Sequence, residues 1–403
     1  MITKTITLYK NAFNGLSNKM WLLSIIMLIN RCGTMVLVFM TLYCMKIGYS
    51  LQQGGIVVAI YGIGSLIGAL VGGKISDTFG FYYTQFSALF FGGIMFIVLG
   101  FMKSYDAICI VTFFLAMINE SFRPANASAI AHYSSPETRT QSFSLVRLSI
   151  NLGFTFGSAI GGFLASRNYH LLFWVDGLTN IVASFFLLFL LPKVTKAQQN
   201  KPKVTTEINQ KSNSPYKDKK FLYFLFFQIL FAACFFQLFT TIPIFFKKNL
   251  NISEFYFGVI MGASGFLIFA VEMILIFSLE GKKPYLVFIT RGTFLMALSF
   301  LILNIPNVNG IIIASIAITV ITMGEMISMP FMNSYYIARS SQSTRGQYAG
   351  MYTMAWSAAQ VIGSMGGAAF AGMYGFNNLW YLVACTSAIS GAGYYCIYKM
   401  SND

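Results

Sequence analysis

Of the 403 residues in this chain, 56% are hydrophobic and only 10% are charged, and the mean hydropathy is +0.67. A water-soluble domain carries about 25% charged residues, so this composition excludes a soluble fold and reads as an all-α integral membrane protein. The net charge of +15 alternates with apolar blocks instead of forming one basic patch, which excludes nucleic acid as the partner and points to membrane topology.

Lys4, Lys10 and Lys19 precede the first apolar run without a small-residue cleavage pattern, so the N-terminus reads as a retained amphipathic lead-in. Twelve apolar segments follow, at 20–44, 54–76, 82–102, 106–128, 142–166, 170–192, 219–246, 254–279, 285–304, 308–332, 345–371 and 376–398. Each meets the length of about 20 residues that a membrane-crossing helix needs. Backbone polar groups in lipid must bond to one another, so helices are the expected form. An even number of crossings puts both termini on one side. Twenty of the 27 lysines and arginines lie toward that side, eight of them between 193 and 220. The opposite loops hold Lys46, Lys103, Arg167, Lys247 and Lys248. The positive-inside rule then places both termini in the cytoplasm.

Residues 193–218 are polar, rich in lysine and interrupted by Pro202 and Pro215. Such a stretch buries too little apolar surface to order itself. It reads as a cytoplasmic linker between two six-helix bundles, 1–192 and 219–403, with binding to anionic lipid headgroups as an alternative use.

The two halves repeat one another. Pro124, Ser128, Ser134, Ser135, Thr138, Arg139, Gln141, Gly157, Ser158 and Gly161 recur, without a gap and 206 residues on, as Pro330, Ser334, Ser340, Ser341, Thr344, Arg345, Gln347, Gly363, Ser364 and Gly367. Chance gives about two or three identities over such a stretch. A hydrophobic chain built as two like halves is the mark of a transporter that rocks one half against the other. Glycines four apart share a helix face: Gly64, Gly68 and Gly72 in the second segment, Gly153, Gly157 and Gly161 in the fifth, Gly363 and Gly367 in the eleventh. They serve close helix packing or a sliding surface between halves. Thr138 and Thr344 are placed to cap the fifth and eleventh helices. Arg139 and Arg345 beside them oppose the helix dipole, so each needs another partner, for structure or for gating.

Charges inside apolar segments cost about 2.5–3.5 kcal/mol each on insertion scales. Arg31, Glu120, Arg147, Glu272 and Glu325 are such residues. Counted along helices at about 1.5 Å per residue, Arg31, Glu120 and Glu325 fall near mid-membrane, and Arg147 and Glu272 nearer the cytoplasmic surface, within snorkelling reach. Arg147 and Asn151 are a turn apart and make a polar stripe with Ser158. Glu120 is expected to pair with Arg31 or Arg147. Desolvation raises a carboxyl pKa in an apolar site, which suits Glu325 or Glu120 to reversible proton binding; the alternative is a carboxyl that only fixes helix register. The many phenylalanines, notably Phe221 to Phe246, read mostly as lipid-facing. The six single cysteines read as packing residues.

Between the second and third segments, Gly73, Asp77 and Gly80 stand at the spacing of the loop motif of the major facilitator superfamily, with Thr78, Phe81 and Tyr82 at its basic positions. Gly153, Gly157, Ser158, Gly161 and Gly162 resemble the antiporter motif of that superfamily's drug–proton antiporters. Phe122 to Ile130 with Pro136 to Arg139, and Asn30, Arg31 and Gly33, resemble its multidrug-efflux-like bacterial members. The likeness covers essentially the whole chain. It implies twelve transmembrane helices in two pseudo-symmetric six-helix bundles, a latch at Gly73, Asp77 and Gly80, and a cavity between helices 1, 4, 5, 7, 8, 10 and 11.

No metal spacing, nucleophile elbow or phosphate loop is present, so neither an enzyme nor a cofactor is expected. Uphill transport would have to use an ion gradient. The expected activity is secondary transport by alternating access in a bacterial inner membrane, with a monomer exporting a small amphipathic compound against protons. A proton-coupled importer of a nutrient, and a non-transporting receptor or lipid-handling protein, are the alternatives.

Overall fold

The computed structural model describes residues 15–135, 138–194, 214–279, 281–340 and 344–402. Residues 195–213 of the expected linker lie outside the described residues. Every described element is helical. In chain order they are α1 Asn18–Cys32, α2 Val36–Lys46, α3 Leu51–Phe79, α4 Phe81–Phe101, α5 Tyr105–Glu120, α6 Phe122–Tyr133, α7 Arg139–Arg167, α8 His170–Leu190, a 3-10 turn Pro215–Lys217, α9 Lys219–Phe235, α10 Gln237–Thr240, α11 Ile242–Lys248, α12 Glu254–Leu279, α13 Tyr285–Ile302, α14 Gly310–Arg339, α15 Arg345–Tyr374 and α16 Phe376–Asn402.

Ten runs of helix among the described residues are long and apolar enough to cross a membrane, and they follow the first ten expected segments. The last two expected segments are helical as well: α15 has 30 residues and α16 has 27. Three of the expected segments are interrupted: the first at Gly33–Met35, the fourth at Ser121 and the seventh at Phe236 and Thr241.

Polar side chains begin several of these helices, where the first amide groups lack partners within the helix. Ser17 accepts from the Met20 amide, Asp218 from Phe221 and Asn309 from Ile311. Ser50 and Gln53 bond each other's amides in a capping box that opens α3. Thr138 and Thr344 occupy the caps expected of them, but neither side chain caps its helix. The Thr138 hydroxyl instead lies 3.1 Å from that of Ser135. Gly80 turns the chain into α4 at φ +93°, a backbone region that only glycine enters without strain.

The chain divides into two compact units, one of Met1–Val36 with Gly64–Val204, the other of Leu37–Ile63 with Thr205–Asp403. In the first, α1 packs on α7 and α8, and α4 on α5, α6 and α8. The second repeats the pattern: α9 packs on α15 and α16, and α13 on α14 and α16. Glycines make the closest crossings. A Cβ on Gly68 would strike the Met117 backbone, and one on Gly72 would strike Ser121, so this stripe seats the second half of α3 on α5. A Cβ on Gly157 would stand 2.9 Å from the carbonyl oxygen of Cys32, and one on Gly363 would stand 2.5 Å from that of Ala233. The repeated glycine therefore does the same work twice: it lets one helix cross the first long helix of its unit backbone to backbone.

Large apolar side chains cover the outer surface, Phe189 at 80% exposure among them, as lipid contact requires. The phenylalanines of α9 and α11 depart from the expectation. Phe221, Phe224, Phe231 and Phe246 are wholly buried, whereas Phe226 faces outward. The Phe221 ring lies 4.5 Å from that of Tyr348 and the Phe224 ring 4.6 Å from that of Tyr335, both tilted, so these rings fill the interior of the unit.

Gly363→Ala is expected to lower stability by about 1–3 kcal/mol through overpacking, with Gly157→Ala smaller in the same direction. Gly73→Ala, with nothing within 4 Å of the added atom, is expected to be neutral or slightly stabilising, since alanine favours helix. Thermal unfolding of the purified variants checks the contrast.

Candidate functional site

The first unit gathers polar residues at the break between α1 and α2. Breaking a helix inside a membrane frees amide and carbonyl groups that must be met by protein. Asp176 of α8 meets them on one lip: its carboxylate accepts from the Val36 amide at 2.8 Å and from the Met35 amide at 2.9 Å. On the other lip, the Asn30 side-chain amide donates to Asn180 Oδ1 at 2.8 Å. Asp176 is fully buried and Asn180 nearly so. Between the lips, Gly33 lies so close to Thr179 that a side chain there would overlap it. One turn of α8 thus splints the whole break.

Arg31 joins the same place. It is half-buried, and a Cβ on Gly153 would lie 2.6 Å from its own Cβ. The structure therefore brings Asn30, Arg31, Gly153 and Gly157 together. Gly153 and Gly157 meet α1 of their own unit, in keeping with close packing. Gly161 is buried further along α7, and Arg147 and Asn151 are half-buried on the same helix.

Glu120 is not paired with Arg31 or Arg147. Its carboxylate lies 3.1 Å from the guanidinium of Arg123. The reason is local: Arg123 stands three residues on, and Ser121 between them keeps helical dihedrals, so the two share a face. Glu272 is only 5% exposed within the second unit, buried among helices rather than snorkelling to a surface. Glu325 is half-buried in the middle of α14. Beside it, Gly324 and Gly292 bring α13 and α14 into backbone contact. Of the expected latch, Gly80 makes the turn described above, and Gly73 is half-buried with open space around it. The side chains of Asp77, Arg139 and Arg345 lie outside the described residues.

The second unit is built on the same plan around the interruption after α9. Gln237, 2% exposed, donates to the Gly363 carbonyl at 2.8 Å and accepts from the Thr241 hydroxyl at 2.8 Å. A side chain on Gly367 would collide with Gln237. At the start of α9, Arg339 donates to both oxygens of Asp218, at 2.7 and 2.9 Å, and the Tyr348 hydroxyl donates to one of them at 3.0 Å. Burial pushes the Asp218 carboxyl up, but the bonds from Arg339, the Phe221 amide and Tyr348 outweigh it and hold it below the usual carboxylate range. Ser17 does the neutral counterpart in the first unit, capping α1 while donating to the Tyr133 carbonyl at 2.8 Å.

Asp176, Asn180, Gln237, Asp218 and Arg339 are the residues that sequence reasoning missed. Asp176 had a signal: it is an acidic residue inside the apolar segment 170–192. Among the described residues no group of three or more His, Cys, Asp or Glu side chains is placed to hold a metal ion.

Membrane-length apolar helices in two like units, each with a polar break in its first long helix, define a multi-pass membrane transporter. The profile of the Major Facilitator Superfamily matches residues 22–364. The chain belongs to that superfamily. It is 23% identical over 360 residues to the uncharacterized MFS-type transporter MJ1560 of Methanocaldococcus jannaschii, covering 87% of this chain and 90% of that protein. It is 24% identical over 186 residues to the quinolone resistance protein NorA of Staphylococcus aureus, a match that spans 44% of this chain and 47% of NorA. Among solved structures, the peptide transporter POT in complex with sulfate superposes with a TM-score of 0.80 at 15% identity, covering 96% of each chain. The nucleoside transporter NupG superposes with a TM-score of 0.76 at 14% identity, covering 95% of this chain and all of that one. These likenesses fix the fold, and the family and the structural neighbours are transporters, which are not enzymes.

Because the Asp218 carboxyl is depressed in the folded chain, its stabilisation is full above the unfolded carboxylate value and is lost as pH falls through the folded one. Asp218→Asn is expected to lower stability by about 1.5–3 kcal/mol at neutral pH and to flatten the acid limb of the stability profile. Thermal unfolding across pH checks this; a variant as stable as wild type, with the same acid limb, would contradict it.

Proposed function

We propose that the chain is a secondary active transporter that exports a small amphipathic compound in exchange for protons, by alternating access of its two halves. The observation that carries this reading is the placement of acidic side chains, Glu272 and Glu325, within apolar membrane-length helices of a two-unit transporter. Intramembrane carboxylates are expensive and mark proton pathways in pumps and transporters. The partial likeness to a quinolone resistance protein favours export.

In this reading the chain crosses the bilayer twelve times, with α15 and α16 supplying the last two crossings. Residues 1–192 and 219–403 are the moving halves and 193–218 tethers them. Both termini face the cytoplasm, in the inner membrane of a bacterium, and the monomer is the working unit. Glu325 carries the coupled proton. Asn30, Arg31, Arg147 and Asn151 offer polar contacts to cargo in the first half, and Glu272 and Glu325 in the second. Gly73, Asp77, Gly80, Arg139 and Arg345 serve the change of conformation. Gly153, Gly157 and Gly161 keep α7 close to its neighbours while that change occurs.

The test is flux in sealed proteoliposomes with an imposed pH gradient, screened against a panel that includes a quinolone. Compound-dependent lumenal pH change and uphill accumulation are expected for wild type. Glu325→Gln is expected to abolish uphill transport and spare substrate exchange. Uphill transport by that variant would remove Glu325 from the coupling step, and absence of flux of any compound would favour a receptor.

A further inference from the structure

Asp176 carries a second reading beyond holding the helix break. An ionised carboxylate in an apolar interior is tolerated only where hydrogen bonds compensate it, and the Met35 and Val36 amides at the positive end of α2 do so. The two amides bond Oδ2 at 2.9 and 2.8 Å, and Met35 also reaches Oδ1 at 3.2 Å. A proton on Oδ1 displaces that third contact and turns the two bonds to Oδ2 from charge-assisted into neutral ones, about half as strong; a proton on Oδ2 turns an O–H donor toward amides that are donors themselves. On either oxygen the proton weakens the hold on the half-helix. The other lip of the break rests on the neutral Asn30–Asn180 bond, which does not titrate, so a change at Asp176 acts on α2 and leaves α1 in place. Gly33 and Thr34, outside either helix, are the residues that absorb the movement.

We propose that Asp176 is a proton site, and that taking up the proton there releases the N-terminus of α2 from α8. The proposal rests on the proton-coupled reading above and adds to it the site at which the proton alters the backbone. The surroundings limit what else titrates beside it. Of the helices packed against α8, α4 contains no charged residue, only Tyr82 and Tyr83 at its start; the sequence of α7 holds Arg139 at its first position, Arg147 two turns on and Arg167 at its last; and α1 carries Arg31 and Cys32 near the break and Lys19 at its far end. α2 contributes Tyr43, Cys44 and Lys46, two turns or more from Val36, and α8 itself His170 at its start.

The experiment uses the purified full chain in lipid nanodiscs, without cargo or gradient, from about pH 8 to about pH 5, a range chosen for a buried carboxyl. Infrared difference spectra report carboxyl protonation, and amide hydrogen exchange, corrected for its intrinsic pH dependence, reports α2. In wild type a carboxylic C=O band is expected to grow as pH falls, while exchange at Met35 to Met40 speeds by about tenfold or more, the factor that losing a charge-assisted hydrogen bond implies. Asp176→Asn should lose the part of that band that Asp176 contributes, seen in the wild-type-minus-variant difference, and hold α2 exchange constant with pH. Asn180→Leu should loosen the break yet keep the pH dependence. Exchange in α2 that does not change with pH in wild type, or the wild-type pH response persisting in Asp176→Asn, would overturn the proposal; the wild-type measurement alone suffices if the variant does not fold. If wild type responds as expected but no pH gradient drives flux, the coupling reading fails and the proton site stands.

Discussion

Two backbone-on-backbone crossings organise this protein. Lipid offers no hydrophobic drive for one helix to seek another, so association depends on close packing and on hydrogen bonds. Gly157 against the Cys32 carbonyl and Gly363 against the Ala233 carbonyl supply that closeness at matching points. The same number of residues separates Cys32 from Ala233 as separates the helix caps Ser17 and Asp218. Directly beyond each crossing the first helix of the unit breaks, and a buried polar side chain, Asp176 or Gln237, meets groups at the break. The crossings bring helix close to helix; the polar side chains make the breaks tolerable in a membrane.

The two units repeat in place but not in chemistry. Ser17 caps α1 and bonds a carbonyl at Tyr133, whereas Asp218 caps α9 and forms a bidentate ion pair with Arg339. A titratable carboxylate sits at one break and a neutral amide at the other.

Much of the architecture was legible in the apolar segments. The segment read as 54–76 is the helix Leu51–Phe79, and 170–192 is His170–Leu190. The repeat located the helices that make the crossings, because glycine at a backbone contact cannot be exchanged without displacing the neighbour. The breaks were not legible. Gly33 opens one and Pro243 follows another, but a glycine in an apolar run is as often packing as punctuation, and Pro330 lies inside an unbroken α14. Partners were less legible still. Glu120 pairs with Arg123, its neighbour three residues on, and the search for a partner on other helices passed over it. The burial of Phe221 and Phe224 escaped for another reason: apolar side chains facing lipid and apolar side chains facing the interior have the same composition.

The claim on which all this rests is that the first long helix of each unit is interrupted where the repeated glycine crosses it. Residue-level amide hydrogen exchange of the wild-type chain in lipid, followed along residues 18–46 and 219–248, tests it most directly. The account predicts protected runs separated by fast exchange at Thr34, with weakened protection at Gly33 beside it and around Phe236 and Thr241. Uniform slow exchange through both stretches would contradict it.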